Sequence, residues 1–384
     1  MTAWRSVAPG EALAPLGPRI RSHAFDRSDW LRLAGLYGAV ALLHGAGWGA
    51  YLYHAASHPA LVGLGFVAYL LGLRHALDAD HIAAVDDTVR YLHQRGRRPL
   101  GVGFFFSLGH ASVVCVLALV LLFAASALKD ALPALQHVGA VIGPAVSGAF
   151  LWFIGLLNLL VLRDLVVDSR KARSGARGHA HVDELLGSRS LMNRLLGGRL
   201  QHVIRHSWQM YPLGLLFGLG FDTATEVGML AMTAGASAGD MPVLAVMSLP
   251  LLFAAGMTLL DTTDGVLMTG AYDWAFVNPL RRISYNVGIT TLSVVVALGV
   301  GTIQWLQVIV GVLGLSGPFA GGLAALDLGV LGALIVGLFA VAWVGSVVIW
   351  KLARFEERYR PAPAPHSHVH EHGGGVTHAH RHFH

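Results

Sequence analysis

The sequence predicts an all-α protein that crosses a membrane several times, and three observations support this fold class. Of the 384 residues, 54% are hydrophobic and only 13% are charged, whereas about a quarter of the residues of soluble domains are charged. The apolar residues gather in long runs, and the Lys and Arg residues gather in alternate connections between the runs. Because backbone groups in lipid must find their partners within the protein, each long apolar run is expected to be a helix.

Eight apolar runs reach the length of about 20 residues that a helix needs to span a hydrocarbon core. They cover residues 31–53, 60–86, 102–127, 139–164, 212–235, 242–269, 286–312 and 327–351. Spans 2–4 and 5–7 each contain three helices and begin on opposite faces, and LGLRHALDADHIAAV weakly resembles FGLGFDTATEVGML. This pattern indicates an inverted repeat of the kind found in many carriers. Shared Gly and Leu composition is the alternative explanation.

The positions of the positive charges predict the orientation of the chain. Cations precede span 1 and follow spans 2, 4, 6 and 8, whereas the four opposite loops contain only Lys129. Arg90 is counted here in the loop after span 2. Since Lys and Arg accumulate on the cytoplasmic side, both termini should be cytoplasmic and the number of spans even. The net charge of +5 lies mainly in these loops and therefore does not indicate nucleic-acid binding.

These charges also suggest how the chain is organised. A cytoplasmic segment, 1–30, precedes an eight-helix domain at 31–351, which contains a basic cytoplasmic loop at 165–210 and is followed by a cytoplasmic tail at 352–384. The N-terminal segment lacks the apolar core of a signal peptide, and the first apolar run, from Leu31, is long enough to stay in the membrane. The cytoplasmic membrane is the expected location.

Span 2 carries an unusual concentration of ionisable groups, which are Arg74, His75, Asp78, Asp80 and His81. A charge near the bilayer centre costs about 2.5–3.5 kcal/mol on insertion scales, so such groups usually have a function. On a regular helix His75, Asp78 and His81 fall within an arc of about 120°, and imidazole with carboxylate suits nickel, cobalt or zinc. Asp80 points away and would orient a histidine, pair with Arg74, or join the site if the helix unwinds. A structural salt-bridged tether is the alternative.

Ionisable groups in other spans are expected to share one polar cavity with span 2, because lipid cannot solvate them. The candidates for metal ligands are His110 in span 3, Asp222 and Glu226 in span 5, and Asp261 and Asp264 in span 6. Asp86 extends the stripe of span 2. Asn158 and His44 are weaker candidates, since a lone Asn or His more often bonds a neighbouring helix. A proton relay is the competing use of the same residue types.

The C-terminal tail contains alternating histidines, which are His366, His368, His370, His372, His378, His380, His382 and His384. The segment is too polar and too rich in Gly and Pro to pack a core, and histidine-rich tracts are typical of metal binding. We expect a cytoplasmic metal buffer that does not fold, with a dispensable disordered end as the alternative.

The single cysteine, Cys115, excludes a disulfide framework and a cysteine-based zinc cage.

The chain resembles the nickel/cobalt transporter family of one-component permeases. The resemblance rests on RHALDADHI in span 2, with the family pattern H-x₄-D-H, and on FFSLGHASVV, LGFDTATE and GMTLLDTTDG in spans 3, 5 and 6. It implies metal-binding roles for His75, Asp78, Asp80 and His81, and also for the acids of spans 5 and 6. The histidine-rich tail departs from the family pattern.

The expected function is therefore secondary transport of Ni²⁺ or Co²⁺ into the cell, with the ion as substrate and no resident cofactor. An exporter of the same ions is the alternative within this class. An intramembrane metal-dependent hydrolase is an alternative from another class, but the sequence has no HExxH motif and the acids of several spans would lack a role. A metal sensor would need an output domain, which the sequence does not show. The expected partners are the ion, the lipid bilayer and a cytoplasmic metallochaperone, and the sequence does not indicate an oligomeric state.

Overall fold

The computed structural model describes residues 25–173, 204–220, 224–237, 241–275, 279–352, 366–372 and 376–382. The chain divides into two compact units, Met1–Val336 and Gly337–His384. The helices are α1 (Arg27–Ala55), α2 (Leu64–His75), α3 (Ala79–Gln94), α4 (Val102–Arg173), α5 (Met210–Gly218), α6 (Ala224–Ser237), α7 (Val243–Ala275), α8 (Pro279–Val312), α9 (Pro318–Ala324) and α10 (Leu328–Leu352). Short 3₁₀ turns lie at Pro59–Leu61 and Ser207–Gln209, and the strands β1 (His366–His372) and β2 (Val376–His382) follow.

Five stretches of the described residues are long and apolar enough to cross a membrane. They are Val102–Phe123, Val138–Arg163, Val243–Asp273, Val287–Val312 and Leu328–Gly345, and they correspond to the expected spans 3, 4, 6, 7 and 8. The expected spans 2 and 5 each divide into two shorter helices, α2 and α3 in one case and α5 and α6 in the other. The chain is thus a helical integral membrane protein.

The helix expected over residues 60–86 is broken beside the polar motif. α2 ends at His75, and Asp78 has an extended backbone (φ −66°, ψ 144°) as the N-cap of α3. The expectation of one regular helical arc is therefore wrong. A Cβ atom on Gly332 of α10 would lie only 1.8 Å from the Leu77 carbonyl oxygen, so the backbone of α10 packs directly against this break.

The helix α3 is longer than the sequence suggested. It continues to Gln94, and it carries Arg90 into the protein interior, where the side chain is only 2% exposed. The assignment of Arg90 to a cytoplasmic loop is therefore wrong. A buried guanidinium needs partners that compensate its charge, and the acids of α3 provide them, as described below.

The two apolar stretches of α4 pack against opposite ends of α5. Gly109 approaches the Tyr211 carbonyl oxygen, and Gly143 approaches the Cα atom of Gly220, just beyond the end of α5. A straight helix would separate Gly109 from Gly143 by about 50 Å, which is several times the length of α5. The chain therefore reverses direction within α4, as two successive spans require.

The described part of the tail forms a β-hairpin. The register pairs His366 with His382, His368 with His380 and His370 with His378, while His384 lies outside the described residues. The expectation that this segment is too polar to fold is therefore wrong for the paired residues. A two-stranded ladder satisfies backbone N–H and C=O groups without an apolar core.

Candidate metal centre

Three histidine side chains meet in the interior of the helical unit. His75 is the last residue of α2, His81 lies in the first turn of α3, and His110 comes from α4. Each is at most 2% exposed, and each offers a ring nitrogen within 4.8 Å of those of the other two. The break between α2 and α3 makes this possible, because it turns the end of one helix and the beginning of the next toward α4.

Carboxylates fix the orientation of two of the imidazoles. His75 Nδ1 lies 3.0 Å from Asp78 Oδ2 and 3.1 Å from Thr225 Oγ1, and His81 Nδ1 lies 3.2 Å from Asp261 Oδ2. An ionised carboxylate only accepts hydrogen bonds, so each Nδ1 carries the hydrogen and each Nε2 keeps its lone pair. Histidines that bind metals commonly donate their other N–H group to a carboxylate in this way.

A third carboxylate stands beside the ring nitrogens. Glu226, in the first turn of α6, places Oε1 2.6 Å from His110 Nε2 and 3.9 Å from His75 Nε2. His75 Nε2 and His110 Nε2 are themselves 3.1 Å apart. Three imidazoles and one carboxylate form a borderline-soft donor set that suits nickel, cobalt or zinc. Phe106 and Phe253 pack against the rings of His81 and His75, at centroid distances of 4.9 and 5.6 Å.

Asp80 lies beside the centre but faces other helices. Its Oδ2 atom is 3.2 Å from Ser147 Oγ of α4 and 3.2 Å from Gln304 Nε2 of α8, and its Oδ1 atom accepts the His81 backbone N–H at 3.0 Å. Asp80 therefore ties α3 to α4 and α8. The structure places it on the side that the sequence indicated, away from the histidines.

The other candidate residues are placed as follows. Asp222 lies outside the described residues, and Asp264 Oδ2 is buried on α7 without a hydrogen-bond partner. Asp86 and Asn158 belong to a second polar cluster farther along α3. His44 bonds the Val40 carbonyl oxygen at 2.8 Å and the Tyr69 hydroxyl at 3.2 Å, which is the neighbouring-helix role that the sequence left open.

The comparisons with known proteins identify the family of this chain. Residues 61–349 match the sequence model of a family described as high-affinity nickel-transport protein. The chain belongs to this family. Its members are transporters, not enzymes.

Several curated relatives are similar over nearly their whole length. The nickel transporter NixA of Staphylococcus aureus is 46% identical, over 87% of this chain and 98% of its own. The nickel transporter NicT of Mycobacterium tuberculosis is 44% identical, over 89% and 94%. The cobalt transport protein NhlF of Rhodococcus rhodochrous is 42% identical, over 85% and 94%. No solved structure matches the chain.

A cavity of about 500 Å³ adjoins the candidate metal centre, and Arg74, Asp78, Gln307 and Asp327 contribute its polar lining. Asp78 links the two, because Oδ2 faces His75 while Oδ1 is buried without a hydrogen-bond partner. Arg74 Nη2 donates to both carboxylate oxygens of Asp327, at 2.6 and 2.8 Å. The backbone N–H of Val330 and the Arg74 guanidinium hold the pKa of Asp327 below its usual value, so this carboxylate stays ionised.

Sequence reasoning missed two residues of this region. Thr225 supports His75, and it lies inside the stretch LGFDTATE in which only the acids attracted attention. Asp327 precedes α10 and accepts the backbone N–H groups of Gly329 and Val330. An acid directly before an apolar run is a helix-capping pattern, so the position of Asp327 was readable although its contact with Arg74 was not.

Proposed function

We propose that the protein carries Ni²⁺ or Co²⁺ into the cell across the cytoplasmic membrane by secondary transport. The ion binds to the Nε2 atoms of His75, His81 and His110 and to the carboxylate of Glu226, while Asp78 and Asp261 orient the first two histidines. The observation that carries this proposal is the convergence of three buried imidazoles whose Nδ1 hydrogens are already directed to carboxylates in two cases. The names of the relatives as nickel and cobalt transporters support the choice of ions.

The proposed topology has eight spans, cytoplasmic termini and an inverted repeat of spans 2–4 and 5–7. The two broken spans support the repeat, because α2/α3 and α5/α6 are the first members of the two sets of three. Carriers with inverted repeats commonly place substrate at such interrupted helices. His75 and His81 flank one interruption, and Glu226 follows the other.

In this orientation the cavity beside Asp327 lies on the external side. We propose it as the entrance for the ion, with the Arg74–Asp327 pair at its mouth and Asp78 at its inner end. Alternating access would close this entrance and open the centre to the cytoplasm.

Uptake of radiolabelled Ni²⁺ and Co²⁺ by cells expressing the chain tests the proposal. We expect faster accumulation than in cells with an empty vector, and weaker competition by Mn²⁺ than by unlabelled Ni²⁺. Accumulation below that of the empty-vector cells would contradict uptake and indicate an exporter.

Binding of Ni²⁺ to the purified protein should weaken on acidification toward about pH 5–6, because imidazole binds metal only when neutral and carboxylate only when ionised. Titration calorimetry in detergent from pH 8 to pH 5 measures this without a transmembrane gradient. An affinity that stays constant over this range would contradict histidine ligation.

The histidines of the hairpin are proposed to buffer metal after its passage, before a cytoplasmic metallochaperone receives it. A chain ending at Pro365 should therefore bind fewer Ni²⁺ ions and retain less metal at low supply, with the same half-saturation for uptake. Equilibrium dialysis counts the ions and concentration-dependent uptake gives the half-saturation. A large shift in half-saturation would show that the tail contacts the transport pathway.

A further inference from the structure

A second buried cluster of polar residues lies on α3, beyond the metal centre. Asp86, Asp87 and Arg90 are at most 2% exposed. Asp86 accepts hydrogen bonds from the Tyr272 hydroxyl, from Ser293 Oγ at 2.5 Å and from Arg90 Nη2 at 3.5 Å. Asp86 is therefore a fully partnered carboxylate whose charge Arg90 compensates.

Asp87 is partnered less completely than Asp86. Its Oδ1 atom lies 2.6 Å from Asn158 Nδ2 and 2.9 Å from Ser293 Oγ, and its Oδ2 atom has no hydrogen-bond partner. The Ser293 hydroxyl has a single hydrogen and stands between Asp86 and Asp87, so it can donate to only one of them. The shorter contact goes to Asp86, which leaves the Asp87 contact without a hydrogen unless Asp87 supplies one.

The amide of Asn158 gives an independent sign of a missing hydrogen. Its side chain is completely buried, and its Oδ1 atom accepts no hydrogen bond. A buried acceptor without a donor is rare and costly. Two residues in contact, Asn158 and Asp87, thus each have one buried oxygen without a donor.

The groups packed around Asp87 also affect whether its carboxylate is stable in the ionised form. α7 contributes the Tyr272 hydroxyl, which contacts Arg90 and Asp86. Farther along, His93 of α3 faces Asp273 of α7 at 3.7 Å. The nearby side chains of α4 and α8, Asn158, Thr290 and Ser293, are neutral.

Arg90 compensates one carboxylate, and the cluster retains a surplus of negative charge. A buried carboxylate without a compensating cation costs several kcal/mol, so binding a proton would relieve a large penalty.

We propose that Asp87 binds the proton that is transported together with the metal ion. In the outward-facing state a hydronium ion transfers a proton to the carboxylate, so one O–H bond of the hydronium breaks as the O–H bond of the Asp87 carboxyl forms. The cluster then closes over the neutral carboxyl, and in the inward-facing state this carboxyl returns the proton to cytoplasmic water. The proposal rests on the proposed uptake of metal.

The helix α3 couples the two sites, because His81 and Asp87 lie about 9 Å apart on one rigid helix. A movement of α3 that follows metal binding therefore also moves Asp87.

The test uses the full chain in proteoliposomes, with radiolabelled Ni²⁺ and a pH-sensitive dye. Acid outside should raise nickel accumulation. For each proton coupled to one metal ion, a gradient of one pH unit should raise accumulation by up to about tenfold, because one pH unit is a tenfold difference in proton concentration. Nickel uptake should also be accompanied by proton uptake. Asp87→Asn should still bind Ni²⁺ in detergent and exchange Ni²⁺ across the membrane, but it should lose both the response to the pH gradient and the proton flux.

Two further variants sharpen the test. Asp87→Glu keeps a carboxyl group and should retain the response to the pH gradient. Asp273→Asn removes a carboxyl from the same pair of helices, at His93, and should also retain it. Asp87→Ser offers a second carboxyl-free variant if Asp87→Asn does not fold.

Several results would overturn the proposal while leaving metal uptake intact. One is nickel accumulation by the full chain without any response to a pH gradient, which decides the matter regardless of the variants. Another is a carboxyl-free variant that keeps the response, and a third is acceleration by a sodium gradient instead. If the full chain transports no metal in any gradient, the proposed function itself is wrong.

Discussion

Replacing His110 with alanine should abolish nickel uptake and weaken nickel binding by more than about 100-fold, although His110 lies outside the span-2 motif. Loss of a group that merely supports a metal ligand costs about 10–100-fold in affinity, so loss of the ligand itself should cost more. His110 Nε2 lies between His75 Nε2 and Glu226 Oε1, so its removal also leaves that carboxylate without its imidazole partner. Titration calorimetry in detergent and uptake by cells measure the two effects.

A graded series of variants distinguishes ligands from supporting residues. His75→Ala and His81→Ala should behave like His110→Ala. Asp261→Asn should lower nickel affinity by only about 10–100-fold, because it removes the acceptor behind His81 but no proposed ligand. The matched control is His44→Ala, since His44 bonds the Val40 carbonyl and the Tyr69 hydroxyl away from the centre. Membrane insertion should be normal in all of them. Near-normal nickel affinity in any two of the three histidine variants would contradict the proposed three-imidazole site.

The sequence could indicate which side chains gather in the interior, because charge in lipid is costly. His75, Asp78 and His81 are conspicuous in an apolar span, and the structure brings them together with His110 and Asp261. The roles within the site were less accessible. The role proposed for each carboxylate depends on which ring nitrogen it faces. Glu226 faces the Nε2 atom of His110 and Asp261 faces the Nδ1 atom of His81, although both are acids in apolar spans.

The break between α2 and α3 could not be inferred from hydrophobic periodicity, because it falls within the polar motif RHALDADH, where too few apolar residues define a period. Asp78 begins α3 as an N-cap, and Asp is a favoured residue there, but the same sequence fits an unbroken helix. The residue packed against the break, Gly332, lies far away in the chain.

Arg90 shows that the position of a cation in the sequence does not by itself reveal whether the side chain is buried. The orientation rule counts cations that flank spans, and Arg90 follows an apolar run closely enough to be counted as a loop residue. Its partners are Asp86 one turn earlier and Tyr272 of α7. Only the second of these, a contact between distant segments, shows that the guanidinium is inside the protein.

Substituting Gly103 with alanine should disrupt both the fold and the metal centre. A Cβ atom at this position would lie 1.8 Å from the Asp261 carbonyl oxygen and 3.1 Å from the Thr262 backbone nitrogen. Both contacts are with backbone, so α4 and α7 must move apart, and overpacking of this kind costs about 1–3 kcal/mol or more. The displaced segment carries the Asp261 side chain that holds His81 Nδ1, so nickel affinity should fall together with the free energy of unfolding.

The matched control for this substitution is Gly45→Ala on α1, where an added Cβ atom meets nothing within 4 Å. Alanine favours helix over glycine by about 1 kcal/mol, so Gly45→Ala should be as stable as the original chain or more stable, with unchanged nickel affinity. Thermal unfolding of the purified proteins, with and without Ni²⁺, measures both quantities. A Gly103→Ala protein with the same melting temperature and affinity as Gly45→Ala would show that α4 and α7 are not in backbone contact at Asp261, and the orientation of His81 would then need another explanation.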